Sequence, residues 1–146
     1  MFDHCLYFNT TALARRLERI WTDAFVPFDL TPPQGFLLRA VLRKPGLLQG
    51  QLADTMAIAR PTATRALDGL VAKGLVERRP SPADGREVEV HPTAAGIAMR
   101  VALDDASGAV TAMIKTSSAT PRSARSSTVS VVCVRPSADA AFLSSI

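Results

Sequence analysis

A short segment near the middle of the sequence concentrates side chains that can bind nucleic acid. An arginine can donate two parallel hydrogen bonds to the edge of a guanine or bind a phosphate, and a threonine can contact a thymine methyl group or the DNA backbone. If the segment opens a helix, these side chains lie where a helix in the major groove reads bases. The alternative is that the arginines only solvate an exposed face and that Thr62 caps the helix. The residues are Arg60, Pro61, Thr62, Thr64 and Arg65.

A second segment combines two short β-prone runs with a charged turn. Residues 76–79 and 87–90 flank a polar stretch that contains Asp84 and Arg86, and this pattern predicts a β-hairpin with a polar tip. Arg86 is slim enough to enter a narrow, electronegative minor groove, and Asp84 can bond the amides of the tip or orient the guanidinium. Arg78, in the first run, joins the candidate DNA-binding residues. The alternative for the tip is an ordinary Asp-Gly turn flanked by surface charges.

Two helices are predicted before these segments. Apolar residues recur at helical spacing over residues 7–25, which predicts a first amphipathic helix. Thr31 is followed by proline and, three residues later, by Gln34. This capping box predicts a second, largely buried helix that runs to about Arg43. The Pro-Gly pair at residues 45–46 is expected to end it.

Two shorter helices follow and form a helix-turn-helix candidate. Leu48, Leu52 and Met56 recur at four-residue intervals, which predicts a third helix of roughly two to three turns. A fourth helix is expected to open at Pro61 and to end at Gly74, because glycine suits the left-handed conformation that closes many helices. Two short helices joined by a tight turn can place the second one in the major groove.

A long fifth helix is predicted after the hairpin, and the composition changes beyond it. Thr93 can cap this helix, whereas Ser107 and Gly108 weaken its continuation and allow a bend. Residues 116–146 contain nine serines and no sustained helical periodicity. Poor order is therefore expected in this last segment.

Composition narrows the classes of protein that remain. The chain has 146 residues, a net charge of +4 and a pI near 9.7, which suits one compact unit with a polyanionic partner. Cys5 and Cys133 lie far apart, and neither they nor His4 and His91 show metal-ligand spacing, so no zinc site or disulfide framework is predicted. Without a signal-like start or a long apolar run, a cytoplasmic protein is expected.

An enzyme is not predicted. The sequence has no GxSxG, P-loop, HExxH or Rossmann glycine pattern. Its acidic residues show no pairing that suggests acid/base chemistry. No cofactor is expected either.

Several of these motifs together resemble the MarR family of bacterial regulators, named for multiple antibiotic resistance. The resemblance covers about residues 5–115, and its most specific part is the signature of the hairpin and the start of the next helix. The motifs are Leu30-Thr31-Pro32-Pro33-Gln34, Gln51-Leu52-Ala53, Pro61-Thr62-Ala63-Thr64-Arg65, Gly74-Leu75-Val76-Glu77-Arg78, Asp84-Gly85-Arg86 and Val90-His91-Pro92-Thr93-Ala94-Ala95-Gly96.

The resemblance implies a mainly α fold with a small β-hairpin wing, in which a winged helix-turn-helix is joined to N- and C-terminal dimerisation helices. Residues 1–30 would form part of the dimerisation region, residues 31–92 the DNA-binding domain, residues 93–115 the C-terminal dimerisation helix and residues 116–146 an atypical tail. The implied function is sequence-specific transcriptional regulation by a homodimer, as a ligand- or stress-responsive repressor on a palindromic operator. Two-fold symmetry predicts half-sites about one helical turn apart.

The resemblance also implies sensing. Family members often bind a small aromatic or phenolic anion between the dimerisation helices and the DNA-binding lobe, although aromatic residues in that region can equally be core residues. Cys5 resembles the N-terminal cysteine of family branches that include sensors of organic hydroperoxides, and the alternative is a small core residue. The aromatic candidates are Trp21, Phe25, Phe28 and Phe36.

The end of the chain departs from the family pattern. The family closes its dimer with a long amphipathic C-terminal helix, and residues 116–146 are a poor sequence for one. A monomer would lose the avidity of two linked half-sites. Two alternatives follow: a regulator with impaired dimerisation, and a winged-helix module that binds an acidic protein surface through Arg65 and Arg86.

Overall fold

The computed structural model describes residues 4–118 and shows a mainly α-helical fold with a small antiparallel sheet, as the sequence predicts. The tail is outside the described residues from position 119 onwards. Along the chain the elements are α1 (Leu6–Phe25), a 3₁₀ helix (Val26–Phe28), α2 (Pro32–Arg43), β1 (Leu47–Leu48), α3 (Gln49–Thr55), α4 (Arg60–Ala72), β2 (Val76–Pro80), β3 (Val88–Pro92), α5 (Ala94–Ala98) and α6 (Arg100–Ser118).

Helix α2 begins at the predicted capping box. The amide of Thr31 donates to Oε1 of Gln34 at 3.1 Å, and Pro32 occupies the first helical position, where the missing N–H costs nothing. Leu37, Leu38 and Val41 on this helix are fully buried. Helix α2 therefore forms the centre of the core.

The predicted helix-turn-helix is formed by α3 and α4. The turn between them includes Ala57, a non-glycine residue with φ of +50°. Helix α4 begins at Arg60, one residue before the predicted start, with Ala59 as its N-cap. It ends as predicted, because Gly74 adopts φ of +67° and lets the amide of Leu75 donate back to the carbonyl of Leu70 at 3.0 Å.

The sheet contains the predicted hairpin and a third strand. Strands β2 and β3 pair antiparallel, and β1 pairs with the other edge of β3 in the order β1-β3-β2. Leu48 was expected in the third helix, but it lies in β1 opposite Glu89. Leu48, Leu52 and Met56 do recur at helical spacing. Leu48 nevertheless pairs with β3, a strand that is distant in the sequence. No local pattern reports that pairing.

The C-terminal helical region bends at a different place from the one predicted. Thr93 caps α5 as expected by accepting the amide of Gly96 at 3.2 Å. The interruption lies at Met99, between α5 and α6, and α6 continues through Ser107 and Gly108. Ser107 is buried, but its hydroxyl donates to the carbonyl of Leu103 at 2.8 Å, so no polar group is left unpaired inside the helix.

One hydrophobic core joins the helices to the sheet. Arg39 of α2 is buried at its edge, and its Nε donates to Oδ1 of Asp104 on α6 at 2.9 Å. No helix among residues 4–118 has both the length and the hydrophobicity that crossing a membrane requires. The largest fully buried core side chains include Phe25, Leu37, Leu38, Leu52, Leu67, Leu70 and Leu103.

Candidate nucleic-acid interface

Helix α4 separates an apolar face from an exposed, basic one. Its inner residues Ala63, Leu67 and Leu70 are fully buried in the core. Arg60 and Arg65 are exposed, and the described residues offer no ion pair to either guanidinium. Pro61 and Thr62 are exposed beside them. The first turn contains no acidic residue, so the N-terminal end of the helix presents positive charge and the positive end of its dipole.

Thr64 differs from the other predicted site residues because it is half-buried against α3. Its hydroxyl donates to the carbonyl of Arg60 at 2.9 Å. The same oxygen accepts a hydrogen bond of 2.8 Å from Nε2 of Gln49, the first residue of α3. Gln49 was not among the predicted site residues, because the contact joins two helices and leaves no periodic signal in the sequence.

Arg78 connects the helix to the hairpin. Its Nη2 lies 2.7 Å from Oδ1 of Asp68, which is on the exposed side of α4. Arg78 was predicted to contact DNA, and the structure places its guanidinium in an ion pair within the protein. The bridge therefore links α4 to β2, the first strand of the hairpin that carries Arg86.

The tip of the hairpin is organised by Asp84. Its Oδ1 accepts the amide of Arg86 at 3.0 Å, and its carbonyl accepts the amide of Glu87 at 2.9 Å. The Arg86 side chain is exposed, and no residue of the described chain pairs with its guanidinium. Asp84 therefore bonds a tip amide, one of the two roles expected for it, and leaves the arginine free to reach outward.

A polar cluster on β3 extends to the start of the hairpin tip. Oε1 of Glu89 accepts from the hydroxyl of Ser81 at 3.1 Å, and Oε2 lies 3.0 Å from Nε2 of His91. The hydrogen bond from His91 is the main reason that the pKa of the Glu89 carboxyl is lowered. Because the pKa is lowered, ionised Glu89 stabilises the folded protein at pH values above the ordinary pKa of a glutamate. This stabilisation is lost as the pH falls through the lowered pKa of the folded state. His91 thus pairs within the wing.

The four aromatic candidates lie at the core. The rings of Trp21 and Phe36 are 4.7 Å apart between centroids, and Phe25 lies 5.5 Å from each. Phe25 is fully buried, while Phe28 packs against the same core from the 3₁₀ helix. The rings stack on one another in the preferred edge and offset geometries, so the structure gives them a packing role.

A polar groove of about 530 Å³ opens between α2 and α6. Its walls carry three cationic side chains and one carboxylate. The carboxylate of Asp104 is engaged by Nε of Arg39, and the exposed ammonium of Lys115 in the groove wall suits an anion. The lining residues are Arg39, Arg43, Asp104, Ser107, Gly108, Thr111, Ala112 and Lys115.

The remaining candidates lie near the N-terminal end of the described chain. Cys5 is exposed immediately before α1, and His4 is exposed beside it. Cys133 lies outside the described residues. Among residues 4–118, no three histidine, cysteine or acidic side chains group as metal ligands do. A redox role for Cys5 stays a prediction.

Known proteins match the same part of the chain. Residues 28–87 match the family model described as MarR family. This segment is similar to the MarR family. It extends from the 3₁₀ helix to the hairpin, so the matched region includes all the predicted DNA-binding residues from Arg60 to Arg86.

Individual proteins agree with the family match. The chain is 31% identical over 84 residues to the uncharacterized HTH-type transcriptional regulator YybA of Bacillus subtilis (strain 168), and 32% identical over 85 residues to the multiple antibiotic resistance protein MarR of Escherichia coli (strain K12). Each alignment covers 58% of this chain. The chain spans only 56% and 59% of those two relatives, respectively. The name of the first relative describes a transcriptional regulator, and that of the second describes antibiotic resistance.

The fold agrees as well. The crystal structure of the MepR–DNA complex from S. aureus superposes with a TM-score of 0.73 at 20% identity, over 79% of this chain and 85% of that one. At this identity the likeness concerns the fold alone. The predicted winged helix-turn-helix is therefore confirmed as an architecture.

Proposed function

We propose that this chain is a non-enzymatic transcriptional regulator that binds specific sites in double-stranded DNA. One observation carries the proposal: Arg60 and Arg65 at the start of α4, and Arg86 at the wing tip, are exposed without an ion-pair partner in the described chain. The Asp68–Arg78 ion pair holds the two elements together. Arginines on a helix and an adjacent hairpin can bind phosphates and enter neighbouring grooves at once.

Each predicted site residue receives a role in this proposal. Arg65 bonds a guanine edge or a phosphate, and Arg60 binds the backbone at the N-terminus of the helix. Thr62 and Thr64 contact bases or backbone, while Pro61 presets the first turn. Arg78 and Asp84 position the wing, and Arg86 enters the minor groove.

We also propose a homodimer that acts as a repressor on a palindrome. Helix α1 exposes Leu6 and Leu13, and the C-terminal helices expose Ile97, Val101 and Met113, so both ends of the described chain present apolar side chains to solvent. A second copy can cover such surface. In this division, residues 1–30 and 93–115 dimerise, residues 31–92 bind DNA, and residues 116–146 form the atypical tail.

The test is a pair of measurements on one sample of the full chain. Light scattering gives the mass in solution, and fluorescence anisotropy gives the affinity for DNA upstream of its own gene and for unrelated DNA, across a salt series. We expect a dimer whose log affinity falls linearly with log salt, with a slope of about −0.9 for each phosphate neutralised. Absence of DNA binding at low salt would favour the protein-interaction module, and a monomer that binds weakly would favour impaired dimerisation.

We propose further that a small aromatic or phenolic anion regulates the protein through the groove between α2 and α6. The groove places the exposed Lys115 beside the Arg39–Asp104 pair. The ring cluster of Trp21, Phe25 and Phe36 already packs on itself, so entry of a ligand there would cost packing.

This proposal predicts that Lys115→Ala weakens binding of salicylate, used as the probe, roughly 5-fold, because an exposed charge contributes up to about 1 kcal/mol. The matched control is Lys44→Ala, which removes the same charge from an exposed position beyond the end of α2 that does not line the groove. Titration calorimetry measures both. Equal affinities of the two variants would place the ligand elsewhere.

A further inference from the structure

We infer that Thr64 reads an A·T base pair and that Gln49 is the positioning residue that restricts it to this choice. The inference rests on the proposed function and adds base specificity to it. It starts from the hydrogen-bonding capacity of one hydroxyl group. A threonine hydroxyl has one proton to donate and two lone pairs that accept.

The proton of Thr64 is already used. It is donated to the carbonyl oxygen of Arg60 at 2.9 Å, and a carbonyl oxygen can only accept. The oxygen of Thr64 must then act as the acceptor towards Gln49, which fixes the side-chain amide with its NH₂ group facing Thr64 at 2.8 Å. The two bonds leave one lone pair and the methyl group for a ligand.

The free lone pair and the methyl group of Thr64 can discriminate between bases. Phosphate oxygens, and the N7 and O6 atoms of guanine, only accept, so Thr64 cannot bond them without giving up Arg60. An A·T pair presents both complementary groups in the major groove, the N6 amino donor of adenine and the C5 methyl of thymine. A C·G pair offers the cytosine amino group but no methyl. The geometry therefore favours A·T over the other pairs.

The position of Thr64 supports a contact with DNA. It lies one helical turn after Arg60 and next to Arg65, the exposed arginines of α4, and it keeps partial exposure. Gln49 is the first residue of α3 and its side chain spans the two helices. A residue so placed acts through Thr64 and needs no contact with DNA of its own.

The experiment begins with selection of binding sites from random duplex DNA by the full chain and by Thr64→Ser. Serine keeps the hydroxyl and both hydrogen bonds and removes only the methyl group. In the wild-type site, each thymine is then replaced singly by uracil, which removes the matching methyl from the DNA. We expect one symmetric A·T position per half-site at which uracil weakens wild-type binding about 5-fold and leaves Thr64→Ser unaffected.

Gln49→Ala supplies a readout that a purely structural role would not move. Without Gln49, the hydroxyl of Thr64 has a second free lone pair and can rotate. We therefore expect the loss of affinity on replacing A·T by G·C at that position, roughly 10-fold in the wild type, to become smaller. The slope of log affinity against log salt should stay unchanged. Thr116→Ser is the control, because Thr116 makes the same backward bond, to the carbonyl of Ala112 at 2.9 Å, on α6 and does not line the groove. It should preserve the selected site.

The outcomes separate this inference from the proposed function. Wild-type protein that selects no DNA sequence overturns both. A wild type that selects a clear site, with Thr64→Ser selecting the same site and responding equally to uracil at every position, overturns only the role of Thr64. Loss of the preference in Thr64→Ser with retention in Gln49→Ala overturns the role of Gln49.

Discussion

Replacing Arg86 with alanine is expected to weaken binding to many DNA sequences by about 30-fold per half-site. The reason is that a charge-assisted contact contributes about 2 kcal/mol, and this guanidinium has no partner in the described chain that would compete with DNA. The bond from the amide of Arg86 to Asp84 involves the backbone, so alanine preserves the shape of the tip. Fluorescence anisotropy across a salt series measures the loss.

Arg79 provides the matched control in the same sheet. Its guanidinium forms an ion pair with Glu77 on the same strand, so Arg79→Ala should change DNA affinity far less than Arg86→Ala. The salt slope should become shallower by about 0.9 for each phosphate contact that is lost. Equal losses in the two variants would mean that net charge alone drives binding. No loss in Arg86→Ala would remove the wing from the interface.

Replacing Arg65 with alanine should affect DNA binding in a different way from replacing Arg86. If Arg65 bonds a guanine edge, Arg65→Ala alters the preferred site as well as the affinity, since a base contact discriminates by about 1–3 kcal/mol. If it binds only phosphate, affinity falls uniformly across sequences. Arg86→Ala should show the uniform pattern. The comparison separates direct base readout from backbone binding on the two elements.

The second large effect concerns stability. Gly96→Ala should destabilise the protein by about 3 kcal/mol, because overpacking against fixed backbone costs this much. A Cβ at this position would overlap the carbonyl oxygen of Leu75 and lie 3.2 Å from its carbon. That carbonyl cannot move freely, since it accepts the amide of Thr93 at 3.1 Å. Urea denaturation followed by circular dichroism measures the change.

Gly108→Ala is the opposite case in the neighbouring helix. Nothing lies within 4 Å of a Cβ built at Gly108, and the residue is exposed inside α6. Alanine is expected to stabilise the protein there by about 0.5–1 kcal/mol through its helix propensity. The same glycine-to-alanine change is therefore expected to lower the stability at position 96 and to raise it at position 108. A Gly96→Ala variant as stable as the wild type would show that the contact between α5 and Leu75 is looser than the structure indicates.

The close contact at Gly96 also explains how the wing is anchored. Gly96 lies in α5, the first helix after β3, and Leu75 immediately precedes β2. Thr93 reinforces the contact, because its hydroxyl donates to the carbonyl of Gly74. The two ends of the hairpin are thus tied together at its base. A destabilised Gly96 variant should bind DNA less well, as well as unfold earlier.

Several features were predictable because their signals are local. The capping box of Thr31 and Gln34 starts α2 within one turn. Gly74 closes α4 through a conformation that glycine adopts at low cost, and alternating residues around the Asp84 tip mark the hairpin. The exposed arginines of α4 follow from the helical period, because an apolar inner face leaves the opposite face to solvent.

What the sequence determined by itself, then, was the order of the helices, the wing and the arginines at Arg60, Arg65 and Arg86. Only the tertiary structure decided that Leu48 joins a strand, that Arg78 pairs with Asp68, that Gln49 holds Thr64, and that a basic groove opens between α2 and α6. The physical reason is the range of the interactions. Periodicity and capping depend on residues within a turn or two, whereas strand pairing, ion pairs between elements and the shape of a groove depend on where the packed core brings distant residues together.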